Sequence, residues 1–219
     1  MKINFPILEE ALDIEGVHIL VLKQKKLFAE TIKWLYQYGN EESKLRLFDK
    51  DYKPFKPTEL MIVTDILGFD INSAPVLKLI YEDLEQALNS KSEVKSQLER
   101  LAADITQILS CEFLENELDL EYDEITILEL IKALGVKIET QSDSIFEKSF
   151  EIIQVFKYLV RKKLLIFINI ATYLEEKEIA SLIEYAKLNR INALFIESSE
   201  VYNFPCYEID EDYFVLVKK

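Results

Sequence analysis

Four short and strongly apolar runs constrain most tightly how this chain can fold. They lie at residues 17–22, 59–65, 164–169 and 193–197. Runs of four to eight apolar residues are typical of strands buried on both faces, as in parallel sheets with helices on each side. Helical patterns follow two of them, at 27–38 and 175–187. Both ends of the chain therefore predict βαβ units in a mixed, partly parallel sheet, with further short strands at 3–8, 45–48 and 213–217.

The hydrophobic period becomes helical between residues 69 and 145. Leu77 to Leu88 and then Val94 to Ile108 show apolar residues three or four positions apart. Ser90-x-x-Glu93 has the spacing of a capping box that opens the second helix, and the two helices should form a hairpin. A shorter helix at 125–133, a strand at 136–139 and a helix at 146–161 follow. We therefore predict an α/β head domain from residues 1–68 and 146–219, and a mainly helical inserted domain over 69–145.

An acidic segment lies in this inserted domain. Between Glu112 and Glu129 there are eight carboxylates in eighteen residues, with no Lys or Arg. Acidic and apolar residues alternate over 117–123, so an extended strand would place Leu118, Leu120 and Tyr122 on one face and four carboxylates on the other. Oxygen-only ligands suit Ca²⁺ better than Mg²⁺ or Zn²⁺. The alternative is a solvated acidic strand edge that discourages aggregation and needs no metal.

The predicted head has the layout of a P-loop NTPase, in which a strand leads into a phosphate-binding loop and a helix. Here the strand is the run at 17–22 and the connection is Lys23-Gln-Lys-Lys26. Phosphate capture requires glycines, and none of the four glycines lies in this connection. Asn169 stands where an Asp that orients Mg²⁺ would be expected. We therefore predict a P-loop-NTPase-like mixed sheet without a functional phosphate loop, and no ATP hydrolysis.

Other catalytic centres find little support in the sequence. The only histidine, His18, lies in an apolar run, where a hydrogen-bonded core position is the usual role. Ser-His-Asp catalysis and zinc clusters are therefore not expected. Cys111 should pack along the apolar side of its helix, and Trp34 should lie in the core. Since no catalytic centre is favoured by the sequence, we predict that the protein is not an enzyme. The chain shows no secretory leader and no apolar run of membrane-spanning length, so we also predict a cytoplasmic protein.

Basic residues form three clusters although the formal net charge is −14. The clusters are Lys23/Lys25/Lys26, Lys44/Arg46/Lys50/Lys53/Lys56 and Arg161/Lys162/Lys163. Segregated charge can leave a basic surface on an acidic protein. Without a base-reading motif, contacts to DNA should be to its backbone. Solvated lysines explain the clusters as well as DNA binding does.

Three stretches of the sequence resemble one protein family. They are residues 61–72 (MIVTDILGFDIN), residues 114–142, which contain the acidic segment, and residues 210–214 (DEDYF). All three are similar to the small adaptation protein of type II-A CRISPR systems, the ring-forming partner of the spacer-acquisition machinery. The similarity extends along the whole chain.

This resemblance implies a homotetrameric ring that binds Ca²⁺ and encircles double-stranded DNA, engaging free ends through a lysine-lined hole. It also implies that the partners are the CRISPR spacer integrase and the effector nuclease of the same locus. The acidic block used for calcium in the family corresponds to Glu117, Asp119, Glu121, Asp123 and Glu129. As DNA-contacting residues we select Lys23, Lys25, Lys26, Lys50, Lys53 and Lys56.

The expected function is therefore non-enzymatic, sequence-independent binding of DNA ends during spacer acquisition. A diverged nucleotide-binding regulator is one alternative to this interpretation. A protein-interaction scaffold built on the helical hairpin is the other.

Overall fold

The computed structural model describes residues 1–118, 120–140 and 144–218. It contains two compact units. The head unit comprises Met1–Asp70 and Gln141–Lys219, and the helical unit comprises Ile71–Thr140. The helical unit is thus inserted in the sequence between two parts of the head unit.

Strands lie towards both ends of the chain and helices lie between them. In chain order the elements are β1 (Lys2–Asn4), β2 (Leu12–Asp13), β3 (Val17–Leu22), α1 (Lys25–Tyr36), β4 (Arg46–Phe48), β5 (Leu60–Val63), α2 (Ala74–Asn89), α3 (Ser92–Leu114), α4 (Ile127–Ala133), α5 (Ile145–Tyr158), β6 (Leu164–Ile168), α6 (Glu176–Leu188), β7 (Ala193–Glu197), β8 (Cys206–Ile209) and β9 (Val215–Lys218). Short 3₁₀ turns lie at Pro57–Glu59 and Ala171–Tyr173. Of the helices in the described part of the chain, none has both the length and the apolar character to cross a membrane.

The head unit is built on a six-stranded sheet with the order β5-β6-β7-β3-β8-β9. The strands from β5 to β8 in this order are mutually parallel, and β9 is antiparallel to β8. The parallel strands therefore all begin on one side of the sheet and end on the other. We call the side formed by the amino-terminal ends of these strands the amino edge and the side formed by their carboxyl-terminal ends the carboxyl edge, as distinct from the outermost strands β5 and β9. A second, three-stranded antiparallel sheet has the order β2-β1-β4. The predicted mixed α/β fold is confirmed.

Both faces of the central strands are covered, which explains their continuous apolar sequences. Every residue of β6 and β7 is buried, and the rings of Phe167 and Phe195 stack with their centroids 5.4 Å apart. Leu20 and Leu22 of β3 share a core with Trp34 of α1. The prediction that Trp34 is a core residue is therefore confirmed.

The helical unit contains α2 and α3, which contact each other and are joined by a two-residue connection, as the predicted hairpin requires. The start of α3 differs from the prediction. Ser90 does not open this helix: it is the C-cap of α2, and its hydroxyl donates to the carbonyl oxygen of Ala87 at 2.7 Å. The N-cap of α3 is Lys91, whose side chain makes no capping bond. A serine between two helices can hydrogen-bond to the end of the preceding helix as readily as to the start of the following one, and the spacing of residues in the sequence does not distinguish the two.

The strand predicted at 136–139 is wrong, because side chains occupy the backbone groups that a neighbouring strand would need. The hydroxyl of Tyr81 donates to the carbonyl oxygen of Val136 at 2.8 Å. The amide of Asn72 donates to the carbonyl oxygen of Ile138 at 3.0 Å and accepts from its N–H at 2.8 Å. This reciprocal pairing reproduces the hydrogen bonds of a strand with a single side chain.

Three local predictions in other places need correction. The strand predicted at 3–8 ends at Asn4, before Pro6, which has no N–H to donate to a ladder. Cys111 is exposed and does not pack against an apolar seam. His18 is hydrogen-bonded through Nε2 to the carbonyl oxygen of Glu15 at 2.9 Å, but it is only half-buried.

Candidate nucleic-acid interface and acidic segment

The loop that follows β4 carries three of the predicted DNA-contacting lysines, and Asp49 fixes its conformation. One carboxylate oxygen of Asp49 accepts from the backbone N–H groups of Asp51 at 2.8 Å and Lys53 at 2.9 Å. The N–H of Lys53 is the main reason that the pKa of Asp49 lies below its ordinary value. The Asp49 carboxylate is therefore committed to the loop backbone, whereas the side chains of Lys50 and Lys53 are exposed.

The third lysine of this loop, Lys56, connects it to the amino edge of the sheet. Its N–H donates to Glu59 at 2.7 Å, and Glu59 also pairs with the Lys163 ammonium group at 2.5 Å. The hydrogen bond from Lys163 is the main reason that the pKa of Glu59 is lowered. Lys163 also lies 5.8 Å from the ring centroid of Phe55, within the range of a cation–π contact. Glu59 immediately precedes β5 and Lys163 immediately precedes β6, so this loop lies at the amino edge.

Two of the three basic clusters thus meet in the folded chain. Exposed basic residues near the amino edge are Lys50, Lys53, Lys56, Arg161 and Lys163. Lys162 differs from its neighbours because its ammonium group turns inward and donates to the carbonyl oxygen of Leu60 at 2.5 Å. Burial lowers its pKa. We call the five exposed residues the amino-edge basic surface.

The remaining predicted lysines lie at the carboxyl edge. Lys23 directly follows β3, and its ammonium group is 2.7 Å from the carboxylate of Glu208, which is almost fully buried. Lys218 binds the other oxygen of Glu208 at 2.6 Å and also pairs with Glu200. Burial alone would raise the pKa of Glu208, but the hydrogen bonds from Lys218 and Lys23 outweigh it and lower that pKa. Lys23 is therefore part of the internal structure of the head unit.

Lys25 and Lys26 are exposed at the first two positions of α1, where the helix dipole is positive. The first turn contains no acidic residue, and Gln24 caps it by accepting from the N–H of Leu27 at 2.6 Å. Two cations at this end of a helix are unfavourable for folding by themselves. An anion bound there would offset this electrostatic penalty.

The six predicted lysines consequently do not form one surface within one chain. Lys23, Lys25 and Lys26 lie at the carboxyl edge, whereas the loop with Lys50, Lys53 and Lys56 lies at the amino edge. At about 3.3 Å per residue, strands of this length separate the two edges by roughly 15 Å. Local clusters in the sequence could not reveal this separation, because it depends on strand direction.

The acidic segment does not form the predicted strand in the residues that the structure describes. Glu117, Glu121 and Asp123 are exposed, and residues 120–126 have no regular secondary structure. Leu118 is 70 % exposed, so it does not form a buried apolar face. The ring of Tyr122 contacts that of Phe113 at a centroid distance of 5.4 Å. Asp119 lies outside the described residues.

Glu129, the fifth predicted calcium ligand, is part of the structure of α4. Its carboxylate accepts from the N–H and the hydroxyl of Thr126 at 2.7 and 2.8 Å, and its own N–H donates back to that hydroxyl. These bonds, the backbone one first, lower the pKa of Glu129. Residues 1–118, 120–140 and 144–218 bring no three Asp, Glu, His or Cys side chains close enough together to hold a metal ion.

A buried carboxylate at the carboxyl edge was missed by the sequence reasoning. Glu197 ends β7 and is 1 % exposed, and one of its oxygens accepts from the N–H of Ala171 at 3.1 Å. Burial raises its pKa to about 7. Next to it, the amide oxygen of Asn169 accepts from the hydroxyl of Ser198 at 2.8 Å. In the sequence, Glu197 is recognisable only as a glutamate at the end of an apolar run. The same pattern is also expected where a strand ends in solvent.

Known proteins that are similar to this chain identify its family. The family described as CRISPR-associated protein (Cas_Csn2) matches residues 37–213. A relative named CRISPR-associated protein Csn2 from Streptococcus agalactiae is 56 % identical over 216 residues, which covers 99 % of this chain and 97 % of the relative. A relative of the same name from Enterococcus faecalis is 52 % identical over 219 residues, with 100 % of both chains covered.

A solved structure shows that the fold also occurs in a distant sequence. The crystal structure of Stu0660 of Streptococcus thermophilus covers 100 % of this chain, which spans 76 % of that protein, with a TM-score of 0.59 and 14 % identity. At this identity the likeness shows the fold alone. The family match and the two full-length relatives carry the assignment: the chain belongs to the CRISPR-associated protein family Cas_Csn2.

Proposed function

We propose that this protein is a non-enzymatic DNA-holding ring of CRISPR spacer acquisition. Four copies would encircle double-stranded DNA near a free end and hold it through its phosphates, for use by the spacer integrase and the effector nuclease. Membership of the Cas_Csn2 family supports the CRISPR context. The particular steps from DNA binding to ring formation rest on the resemblance and on the charge distribution of the chain.

The amino-edge basic surface is the observation that carries the DNA-binding part of the proposal. Asp49 is committed to backbone hydrogen bonds, and Glu59 is paired with Lys163. In the described part of the chain, the unpaired cations of this surface are therefore Lys50, Lys53, Lys56 and Arg161, and Asp51 is the one exposed acidic residue of the loop over residues 49–56. The lysine side chains of the loop extend into solvent. A surface of this kind binds phosphates without reading bases and releases counterions as it does so.

The carboxyl edge is the weaker candidate for DNA contact. Lys23 is held by Glu208. The N–H of Lys23 donates to the carbonyl oxygen of Ile209, the last residue of β8. The exposed acidic turn that follows, with Glu211 and Asp212, therefore lies at the same edge as Lys25 and Lys26. These opposite charges offset one another. We therefore propose that the amino edge of each sheet faces the DNA.

We further propose that the head is P-loop-NTPase-like in layout and has lost phosphate-transfer activity. The connection from β3 to α1 has no glycine, and Gln24 already caps the helix end at which a nucleotide phosphate would bind. The amide oxygen of Asn169, at the end of β6, accepts from Ser198. These residues support a positional role for the head instead of a chemical one.

Calcium is proposed to bind in the acidic segment of the helical unit. No described Lys or Arg forms an ion pair with Glu117, Glu121 or Asp123. Like charges at this density repel one another, and a hard cation with oxygen ligands would relieve the repulsion. Ordering of this segment by the ion would then fix the helical unit in the form that assembles.

The proposed DNA binding can be tested by fluorescence anisotropy with linear duplexes of unrelated sequence and with covalently closed circles. We expect tight, sequence-independent binding to linear DNA, at least tenfold weaker binding to closed circles, and a steep loss of affinity with added salt. Equal affinity for both DNA forms would overturn threading. An affinity that does not change with salt would overturn phosphate contact.

The calcium part has its own test, with light scattering and thermal unfolding in Ca²⁺ and in chelator. We expect a tetramer with a higher melting temperature in Ca²⁺, and lower mass in chelator, because an ion bound only by the folded state stabilises it. The variant Glu121→Gln/Asp123→Asn should lose this response, whereas Glu82→Gln/Glu99→Gln should keep it. Identical mass and melting temperature in both solutions would overturn calcium binding.

A further inference from the structure

The basic loop that follows β4 also carries an exposed aromatic side chain. Tyr52 is 61 % exposed. Its neighbours in the loop include Lys50 and Lys53, which are exposed as well, and the exposed acidic residue Asp51. A single exposed apolar side chain is common on protein surfaces, whereas this ring is held in place by its own loop.

The loop holds the backbone of Tyr52 in an unfavourable conformation. Tyr52 has a φ of +58°, in the left-handed region that bulky residues rarely occupy. The N–H of Asp49 donates to the carbonyl oxygen of Lys53 at 2.9 Å, and the carbonyl oxygen of Asp49 accepts from the N–H of Tyr52 at 3.1 Å. Such a conformation persists only where the surrounding structure fixes it, and Asn or Gly would fit there more easily.

The side chain of Tyr52 is anchored at its hydroxyl end. The Lys2 ammonium group donates to this hydroxyl at 2.7 Å, and this hydrogen bond is the main reason that the pKa of Lys2 is raised. The same ammonium group is 4.8 Å from the ring centroid, so it lies closer to the hydroxyl than to the centre of the ring. The ring of Phe48 is tilted by 47° at a centroid distance of 6.4 Å. Neither group is stacked in parallel on the exposed ring.

We propose that Tyr52 is a stacking platform for an unpaired base at the end of a DNA duplex. Lys50, Lys53 and Lys56 would bind the phosphates that flank this nucleotide. Sites for single strands combine cations that follow the backbone with aromatic rings on which the bases stack. Bases inside a duplex are already stacked on their neighbours, so only an end offers a free base. Every base has a flat face, and the contact therefore requires no particular sequence.

This inference rests on the proposed function, because it narrows the class of DNA that the amino-edge basic surface binds. Phosphate contacts alone respond to the charge of the DNA and ignore its bases. A stacking ring adds a preference for ends with unpaired bases. The two contributions are separable, since an abasic overhang has the phosphates of an ordinary overhang but no bases.

The test is fluorescence anisotropy of the wild-type protein with three kinds of linear duplex. They carry blunt ends, two-nucleotide thymine overhangs, or abasic overhangs of the same length, with both overhangs prepared at the 3′ and at the 5′ end. We expect the thymine overhang of at least one polarity to bind about fivefold or more tightly than its abasic counterpart. Equal affinity for thymine and abasic overhangs in both polarities would overturn the stacking contact.

Variants then assign the preference to the ring. Tyr52→Asn suits the left-handed backbone and removes the ring, so it should lose the preference for thymine overhangs and bind blunt duplexes within twofold of the wild type. Tyr52→Phe keeps the ring and should keep most of the preference. The matched control is Tyr173→Asn, at a 60 % exposed tyrosine in the turn that follows β6 at the carboxyl edge, which should behave as the wild type. A Tyr52→Asn variant that keeps the preference, or that weakens blunt and overhanging duplexes equally, would overturn the assignment.

A crosslink in the wild-type complex provides a measurement that does not depend on a variant. 5-Iodouracil in the overhang should couple on irradiation to Tyr52, which mass spectrometry of the digested complex locates. Crosslinks only to other residues, or none, would overturn stacking.

The results also separate this contact from the proposed function. Salt-dependent binding of linear duplexes without a preference for unpaired bases would overturn stacking and leave the DNA-holding role intact. Binding of overhanging but not of blunt duplexes would support stacking and overturn the encircling of double-stranded DNA. Failure to bind any linear duplex would overturn both.

Discussion

Two buried carboxylates at the carboxyl edge illustrate how burial and hydrogen-bond partners compete at the scale of single residues. Glu208 has two ammonium partners, and its pKa is lowered although it is buried. Glu197 accepts backbone hydrogen bonds but forms no ion pair with a described Lys or Arg, and burial raises its pKa to about 7. Burial therefore raises the pKa of Glu197, whereas at Glu208 the hydrogen bonds from two ammonium groups outweigh the effect of burial.

Glu197→Gln should stabilise the protein above neutral pH and have little effect in acid. The pKa of Glu197 is about 7 in the folded state against an ordinary value of 4.5. As pH rises from 4.5, the unfolded chain loses the proton first, so stability falls until about pH 7 and is then constant. The shift corresponds to about 3 kcal/mol. Glutamine keeps an oxygen that can accept from Ala171 but has no charge to desolvate.

Urea unfolding at pH 4.5 and pH 8 measures this effect. We expect Glu197→Gln to exceed the wild-type free energy of unfolding by up to about 3 kcal/mol at pH 8 and by close to zero at pH 4.5. The exposed Glu184→Gln serves as the control. A difference between Glu197→Gln and the wild type that is the same at both pH values would contradict the expected titration.

Lys23 should matter more for folding than for DNA binding. Lys23→Met leaves buried Glu208 with one ammonium partner. We expect this change to lower the free energy of unfolding by about 1–2 kcal/mol. This loss is smaller than the usual figure for a fully buried pair because Lys23 is partly exposed. The double variant Lys23→Met/Glu208→Met should recover part of this loss. Urea unfolding of the two single variants and the double variant measures the coupling. Purely additive losses would show that the pair does not act as a unit.

At the scale of elements, Glu129 has two proposed roles that one pair of variants separates. Glu129→Ala removes the capping box of α4 and should lower the melting temperature with or without Ca²⁺. Glu129→Gln keeps an oxygen for the cap but loses the charge. It should therefore match the wild type in chelator and gain less melting temperature from added Ca²⁺. A full calcium response in Glu129→Gln, measured by thermal unfolding, would remove Glu129 from the set of ligands.

Elements were predictable from the sequence where burial on both faces fixes their composition. The bounds of β3 and β7 agree with the apolar runs at 17–22 and 193–197. The predicted helices lie within a few residues of α1, α5 and α6. By contrast, β8 was missed, because Tyr207 and Glu208 interrupt its apolar character and the ammonium partners of Glu208 come from distant parts of the sequence.

The same limit explains why the candidate site was only partly predictable. The sequence showed which clusters are basic and which segment is acidic. It could not show that Lys23 binds Glu208 or that Glu129 caps α4, since each depends on a partner brought close by folding. Nor could it show that lysines at 23–26 and 50–56 lie at opposite edges of one sheet.

For the whole molecule, the separation of the two lysine groups leads to a prediction about the orientation of each subunit on DNA. If the amino edge faces the duplex, the variant Lys50→Gln/Lys53→Gln/Lys56→Gln should bind linear DNA at least tenfold more weakly than the wild type. For this variant, the slope of the logarithm of the binding constant against the logarithm of the salt concentration should be shallower by about 0.9 for each phosphate that is no longer neutralised. Lys25→Gln/Lys26→Gln should retain most of the affinity and the slope, because its lysines lie at the other edge.

A third variant controls for net charge. Lys78→Gln/Lys91→Gln/Lys95→Gln lowers the charge by the same three units as the amino-edge variant but alters the helical unit, where Lys78 and Lys95 already pair with Glu82 and Glu99. Anisotropy titrations at several salt concentrations compare the three. If the loss is greatest in Lys25→Gln/Lys26→Gln, the carboxyl edge faces the DNA and the orientation is reversed. If the two triple variants weaken binding equally, the overall charge attracts the DNA and neither edge is a defined contact surface. The reason is that a ring that holds phosphates at fixed positions must respond to where its lysines lie.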